Sequence, residues 1–300
     1  MESTTSGSEV GSVIVGVDGS ESARHAALWA AVEAVHRERA LHIVYAADTD
    51  GREAYVSEAG IERECKAGRE LLDDIAAVVR EQHPGLDIST ELSRGAPAPS
   101  LHRFAGPHGT IVVGNRGLGG FTSLLLGSVG LKVMAGATSP VIVFRGIDNG
   151  AEKATVLAAV RDENDLDVAR YAAREAVLRK ASLRMLQVWN VLQSVGNVVT
   201  MVDGLGEMAG EQVHHLAAVA DRIRQEFPCL TVQLDAEKSV SVAGVLVEAS
   251  QHADLLVMGG RRSPGDIGPT LGRVTHSLVH HAHCPVQLIP RQDREQRSTS

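Results

Sequence analysis

The chain has 300 residues, enough for two domains of about 150 each. Its 44% apolar and 22% charged content is that of a globular protein, which excludes disorder over most of the length. Aromatics at 3% exclude base-stacking platforms for single-stranded nucleic acid. A net charge of −8, with 19 of 37 acidic residues but 13 of 29 basic ones in the first half, leaves no DNA-binding footprint in either half.

Cys65, Cys229 and Cys284 are scattered and form no CxxC pair, so neither a disulfide framework nor a zinc ribbon is indicated. They read as small apolar packing residues. The start up to Gly11 lacks the basic-then-apolar order of a signal peptide, and no apolar run reaches the ~18 residues that span a bilayer. A cytoplasmic location without membrane insertion is expected.

Short apolar runs alternate with helical patterns. Residues 12–17 read as a strand buried on both faces, 22–39 as an Ala-rich helix and 41–46 as a second strand. Ile61, Cys65, Gly68, Leu72, Ile75 and Val79 recur at helical spacing, and Pro84-Gly85 stops that helix. Residues 86–92 alternate like an edge strand. A short helix at 100–105, a buried strand at 110–113, a helix at 127–135 and a last strand at 141–144 follow.

The second half repeats the first. WAAVEAVHRERALHIVY at 29–45 matches YAAREAVLRKASLRMLQ at 171–187, and IVVGNRG at 111–117 matches LVMGGRR at 256–262. The near-constant offset defines two units, 12–148 and 149–290, joined through the polar stretch 146–153. The ends 1–11 and 291–300 read as disordered. The second unit repeats the order, with a long helix marked by Val213, Leu216, Ala220, Ile223 and Phe227. Strands alternating with helices predict a parallel α/β sheet with right-handed crossovers in each unit.

One constellation carries chemistry. After the fourth strand comes Gly114-Asn115-Arg116-Gly117, then nine residues, then Gly127-Ser128 opening a helix. Glycine admits a close anion and a positive φ, and a helix N-terminus offers free N–H groups to phosphate. Strand one ends at Val17-Asp18-Gly19. In a doubly wound sheet Asp18 would face Gly114 across the crevice and accept a hydrogen bond from a ribose or an adenine amino group. Ala46-Ala47, ending strand two, would floor a base. Plainer readings stand beside these: Gly114 and Gly117 as turn glycines, Asp18 as a helix cap although Ser20 is the more natural one, and Arg116 as a solvated charge.

The G-x2-G-x9-G-S spacing, with VGVDGS at 15–20 and SPVIV at 139–143, resembles the universal stress protein family in its tandem form. The resemblance covers 12–145 and 154–290. It implies two open α/β sandwiches of the adenine nucleotide alpha-hydrolase type, each with five parallel strands, and ATP as ligand, with or without Mg2+. It also implies contacts from Val17 and Asp18 to the nucleoside and from Ala46 to the base. Val113, Gly114, Arg116 and Gly117 would line ribose and phosphates, and Gly127, Ser128 and Val129 would bind phosphates. Gly130 departs from the hydroxyl residue usual there. No catalytic base is implied, and the fifth strands are implied to pair within one chain, with a homodimer as an extension.

The second unit departs further. Its loop reads Gly259-Gly260-Arg261-Arg262, then nine residues, then Gly272-Arg273. A Cβ at Arg262 obstructs close approach, so this cradle is expected to be lost. Either Arg161 or Asp162 stands for Asp18. His280, His281, His283 and Cys284 lack the ligand spacing of a metal site. The leading expectation is an ATP-binding regulatory protein of the stress response that uses the first unit, with its protein partner open. A slow ATPase or nucleotidyl transferase and a nucleotide-free interaction module are the alternatives.

Overall fold

The computed structural model describes residues 11–50, 55–115, 126–145, 153–190, 192–195, 198–201, 205–260 and 271–290. The sequence expectations for 1–10 and 291–300, and those on Arg116, Gly117, Arg261 and Arg262, lie outside them. Two compact units divide the chain, one ending at Phe144 and the other starting at Arg145.

The first unit runs β1 (Val13–Val17), α1 (Glu21–His36), β2 (Leu41–Ala46), α2 (Glu58–Gln82), β3 (Ile88–Ser93), α3 (Pro97–Ala105), β4 (Thr110–Gly114), α4 (Ser128–Ala135) and β5 (Val141–Phe144). Its strands lie in the order β5-β4-β1-β2-β3, all parallel. Helices α1 and α2 cover one face, α3 and α4 the other. Period-two alternation divides β1 between them: Val13, Val15 and Val17 enter the α1–α2 core, while a Cβ at Gly16 would meet Leu101 of α3 at 2.9 Å.

Helix α1 begins at the N-cap Ser20 and buries Ala23, Ala26, Ala27, Ala30, Ala31 and Ala34. That stripe of methyl groups at helical spacing lets the helix lie close on the sheet. Within it Glu33, 2% exposed, accepts from Arg37 Nε at 2.7 Å. In α2 the expected stripe from Cys65 to Val79 is buried. Gly68 is required there, because a Cβ would stand 2.4 Å from the Tyr45 ring.

The second unit comprises β6 (Thr155–Ala159), α5 (Leu166–Leu178), β7 (Ser182–Asn190), β8 (Leu192–Val195), β9 (Val198–Met201), α6 (Leu205–Glu226), β10 (Val232–Ser239), α7 (Val242–Ala249), β11 (Leu255–Gly259), α8 (Arg273–His281) and β12 (Val286–Ile289). Its parallel strands repeat the topology as β10-β7-β6-β11-β12. The buried ion pair recurs at the equivalent place on α5, between Glu175 and Arg179.

Three expectations need correction. The antiparallel hairpin β8–β9 departs from the repeated order and has no counterpart among the described residues of the first unit. Val213 of α6 is exposed, while the expected Leu216, Ala220 and Ile223 are buried together with Val219. Cys229 is exposed just after α6, so it is not a packing residue. Cys65 and Cys284 are buried, and burial pushes the Cys284 thiol up to about 12.

Candidate functional site

In the first unit the strand order reverses at β1, with β2 and β3 on one side and β4 and β5 on the other. A crevice opens beyond the carboxyl ends of strands at such a point. Val15 is paired with Val112 and Val17 with Tyr45. Continuing those registers sets Gly114 beside Val17 and Ala46 level with Asp18. The topology thus brings Val17, Asp18, Ala46, Val113 and Gly114 to one edge. Val17 and Val113 are 5% and 4% exposed, so neither side chain is open to a ligand.

Asp18 is half-buried, and the turn after it depends on Gly19 at φ 84°. Asp18 Oδ1 accepts from the Ser20 amide at 3.0 Å and from its hydroxyl at 2.6 Å. Ser20 is the N-cap, with its Oγ accepting from the Ala23 amide at 3.2 Å. Capping therefore belongs to Ser20, while Asp18 holds the turn that presents it.

Gly114 has a reason the sequence did not give. A Cβ there would stand 2.8 Å from Ser22 Oγ and 3.0 Å from the Ser22 carbonyl group. Its glycine is thus required by the first turn of α1 packing on the end of β4. At α4 the N-cap is Gly127 (φ −61°, ψ 155°), and no side chain caps the helix. The Gly127 N–H donates to the Asn115 carbonyl at 3.2 Å, so it is not held out for a ligand as the sequence suggested. The amides of Ser128, Val129 and Gly130 form the first turn, where the helix supplies no acceptor and the dipole favours an anion. Ser128 and Val129 are exposed and Gly130 is buried. A Cβ at Gly130 would meet the buried Leu126 Cδ1 at 2.8 Å, so a hydroxyl residue there conflicts with Leu126 as it stands.

Sequence reasoning missed Ser22 and Asn115, whose side chains bond at 2.7 Å across 93 residues. Serine and asparagine are common at turns and helix starts, and nothing local marks this pair. A cavity of about 420 Å3 opens nearby at the ends of β2 and β3, lined by Asp50, Glu91, Ser93, Arg94, Ser100 and Arg103 among others. None of the sequence-predicted residues lines it. Its two arginines and two carboxylates balance, and Arg94 faces Asp50 at 3.7 Å.

The same place in the second unit is filled differently. Met258 pairs with Ala159, which sets Gly259 beside Val160 and puts Arg161 where Asp18 stands. Asp162 repeats only the turn, accepting from the Asn164 amide at 2.8 Å. The Arg161 amide and guanidinium both donate to Asp165, which is 1% exposed, at 2.9 and 3.2 Å. Gln187 Nε2 donates to the Arg161 carbonyl at 2.7 Å. The base-floor position of Ala46 is taken by Val188, and Arg273 opens α8 behind the N-cap Gly272. His276 and His280 approach at 3.3 Å. Among the described residues no group of three or more His, Cys, Asp or Glu is placed to hold a metal ion.

Fold and site define a tandem of doubly wound α/β units with a strand-end crevice elaborated in the first. The chain belongs to the universal stress protein family, whose model matches residues 10–145 and again 154–290. It is similar to a universal stress protein of Mycobacterium tuberculosis (strain H37Rv), with 27% identity over 282 residues, covering 93% of this chain and 96% of the relative. One from Mycolicibacterium smegmatis is 29% identical over 296 residues, covering 92% and 96%. Among solved structures, a universal stress protein from Archaeoglobus fulgidus superposes with a TM-score of 0.70 at 16% identity, covering 94% of this chain and 98% of that one. Among the described residues no helix is long and apolar enough to cross a membrane.

Proposed function

We propose that the first unit binds one adenine nucleotide, ATP by preference, as a regulatory protein that holds its ligand rather than turning it over. The observation that carries this reading is the convergence, at one switch point, of the Asp18 carboxylate and the side-chain-uncapped N-terminus of α4. A carboxylate level with the small Ala46 suits a nucleoside, and helix amides suit phosphates. In the second unit an arginine and an internal ion pair stand in that place, so no second tight site is expected.

Calorimetric titration of nucleotide-free chain with ATP tests this, with one tight site per chain as the expected result. Two equal tight sites, or none, would count against it. Gly117→Ala adds a methyl group where the sequence places backbone against phosphate. It should weaken ATP at least about tenfold, or ~1.4 kcal/mol, while leaving adenosine nearly unchanged. Asp18→Ala should weaken AMP and ATP alike. Incubation with ATP, with and without Mg2+, should release no product at a rate above the uncatalysed one.

A further inference from the structure

We infer that Asn115 is a positioning residue that ties the nucleoside side of the crevice to its phosphate side. Its Oδ1 accepts from the Ser22 hydroxyl at 2.7 Å, and its main-chain carbonyl accepts from the Gly127 amide at 3.2 Å. Ser22 lies in the first turn of α1, which Ser20 caps and Asp18 braces. Gly127 is the N-cap of α4. One residue therefore joins the two turns that carry the opposing halves of the site. Gly114, immediately before it, lets Ser22 come close enough for the bond. The second unit has Gly260 at the equivalent position, where no side chain exists to form this bridge.

The inference rests on the proposed nucleotide reading for its binding consequence, but the bridge itself can be read without nucleotide. In full-length, nucleotide-free protein, Asn115→Ala should speed amide exchange at Gly127 as well as in the first turn of α1, by about fivefold or more. A role confined to Ser22 and its own helix would move α1 alone. In titrations Asn115→Ala and Ser22→Ala should each weaken ATP about tenfold and adenosine less than about twofold, and the double variant should be no worse than either single. Ser22→Thr keeps the hydroxyl and should bind ATP like the parent.

Unchanged exchange at Gly127 overturns the inference. So do additive losses in the double variant, or equal losses for adenosine and ATP. Failure of the parent to bind either ligand sinks the proposed function instead, and the exchange result then decides the bridge alone.

Discussion

At the scale of single residues, glycines in this site answer to different neighbours. Gly114→Ala would press a methyl group onto the Ser22 backbone at 3.0 Å, and backbone cannot step aside as a flexible side chain can. Overpacking of this kind costs about 1–3 kcal/mol, so thermal melts of Gly114→Ala should show clear destabilisation before any ligand is added. Gly130→Ser meets a side chain instead, Leu126, which is 4% exposed. Adding the missing hydroxyl alone should therefore leave ATP affinity unimproved. Pairing it with Leu126→Ala removes the collision, and titration of the single and double variants separates steric cost from lost contact. A single variant that binds ATP tighter than the parent would show that Leu126 yields freely.

At the scale of elements, most of the fold could be read because strands buried on both faces appear as unbroken apolar runs. β1, β2, β4 and β5 were each expected within a residue or so of where they lie. The hairpin β8–β9 is not legible locally, because Gln193 and Ser194 interrupt its first strand and the internal repeat predicts no strand there. Val213 was misplaced because helical spacing gives a face but not how far along the helix the sheet extends. That Asp18 lies just past one strand, Gly114 ends another and Ser128 opens a helix follows from the sequence pattern, whereas the Ser22–Asn115 bond needs the folded chain. Two elements also make the first unit sensitive to pH. Burial holds the imidazoles of His42 on β2 and His102 on α3 below their usual range, opposed by Glu91 and by the Val133 backbone respectively. In the unfolded chain these groups titrate near ~6.5. The unfolded state therefore takes up protons first, so their contribution is complete above about pH 6.5 and declines as pH falls through the lower native values. The melting temperature of the first unit should fall as pH drops below about 6.5, and His102→Leu should flatten that slope.

At the scale of the whole molecule, β5 ends the first unit's sheet with the uncharged sequence Val-Ile-Val-Phe. Such an edge invites another strand. Residues 1–150 expressed alone should therefore form a dimer or aggregate on size-exclusion chromatography, and a stable monomer would count against pairing of the fifth strands. The ion pair between Arg161 and Asp165 has a different consequence, for how the protein would register its surroundings. A half that supplies its own counter-charge has a stability set by its sequence. A half that waits for a nucleotide gains stability by mass action, about 2.7 kcal/mol at a hundredfold excess over Kd. Rising ATP should then move one thermal transition upward and leave the other in place. Under the proposed reading the chain would carry a built-in reference, one half answering to its nucleotide and the other serving as the fixed mark against which that answer is read.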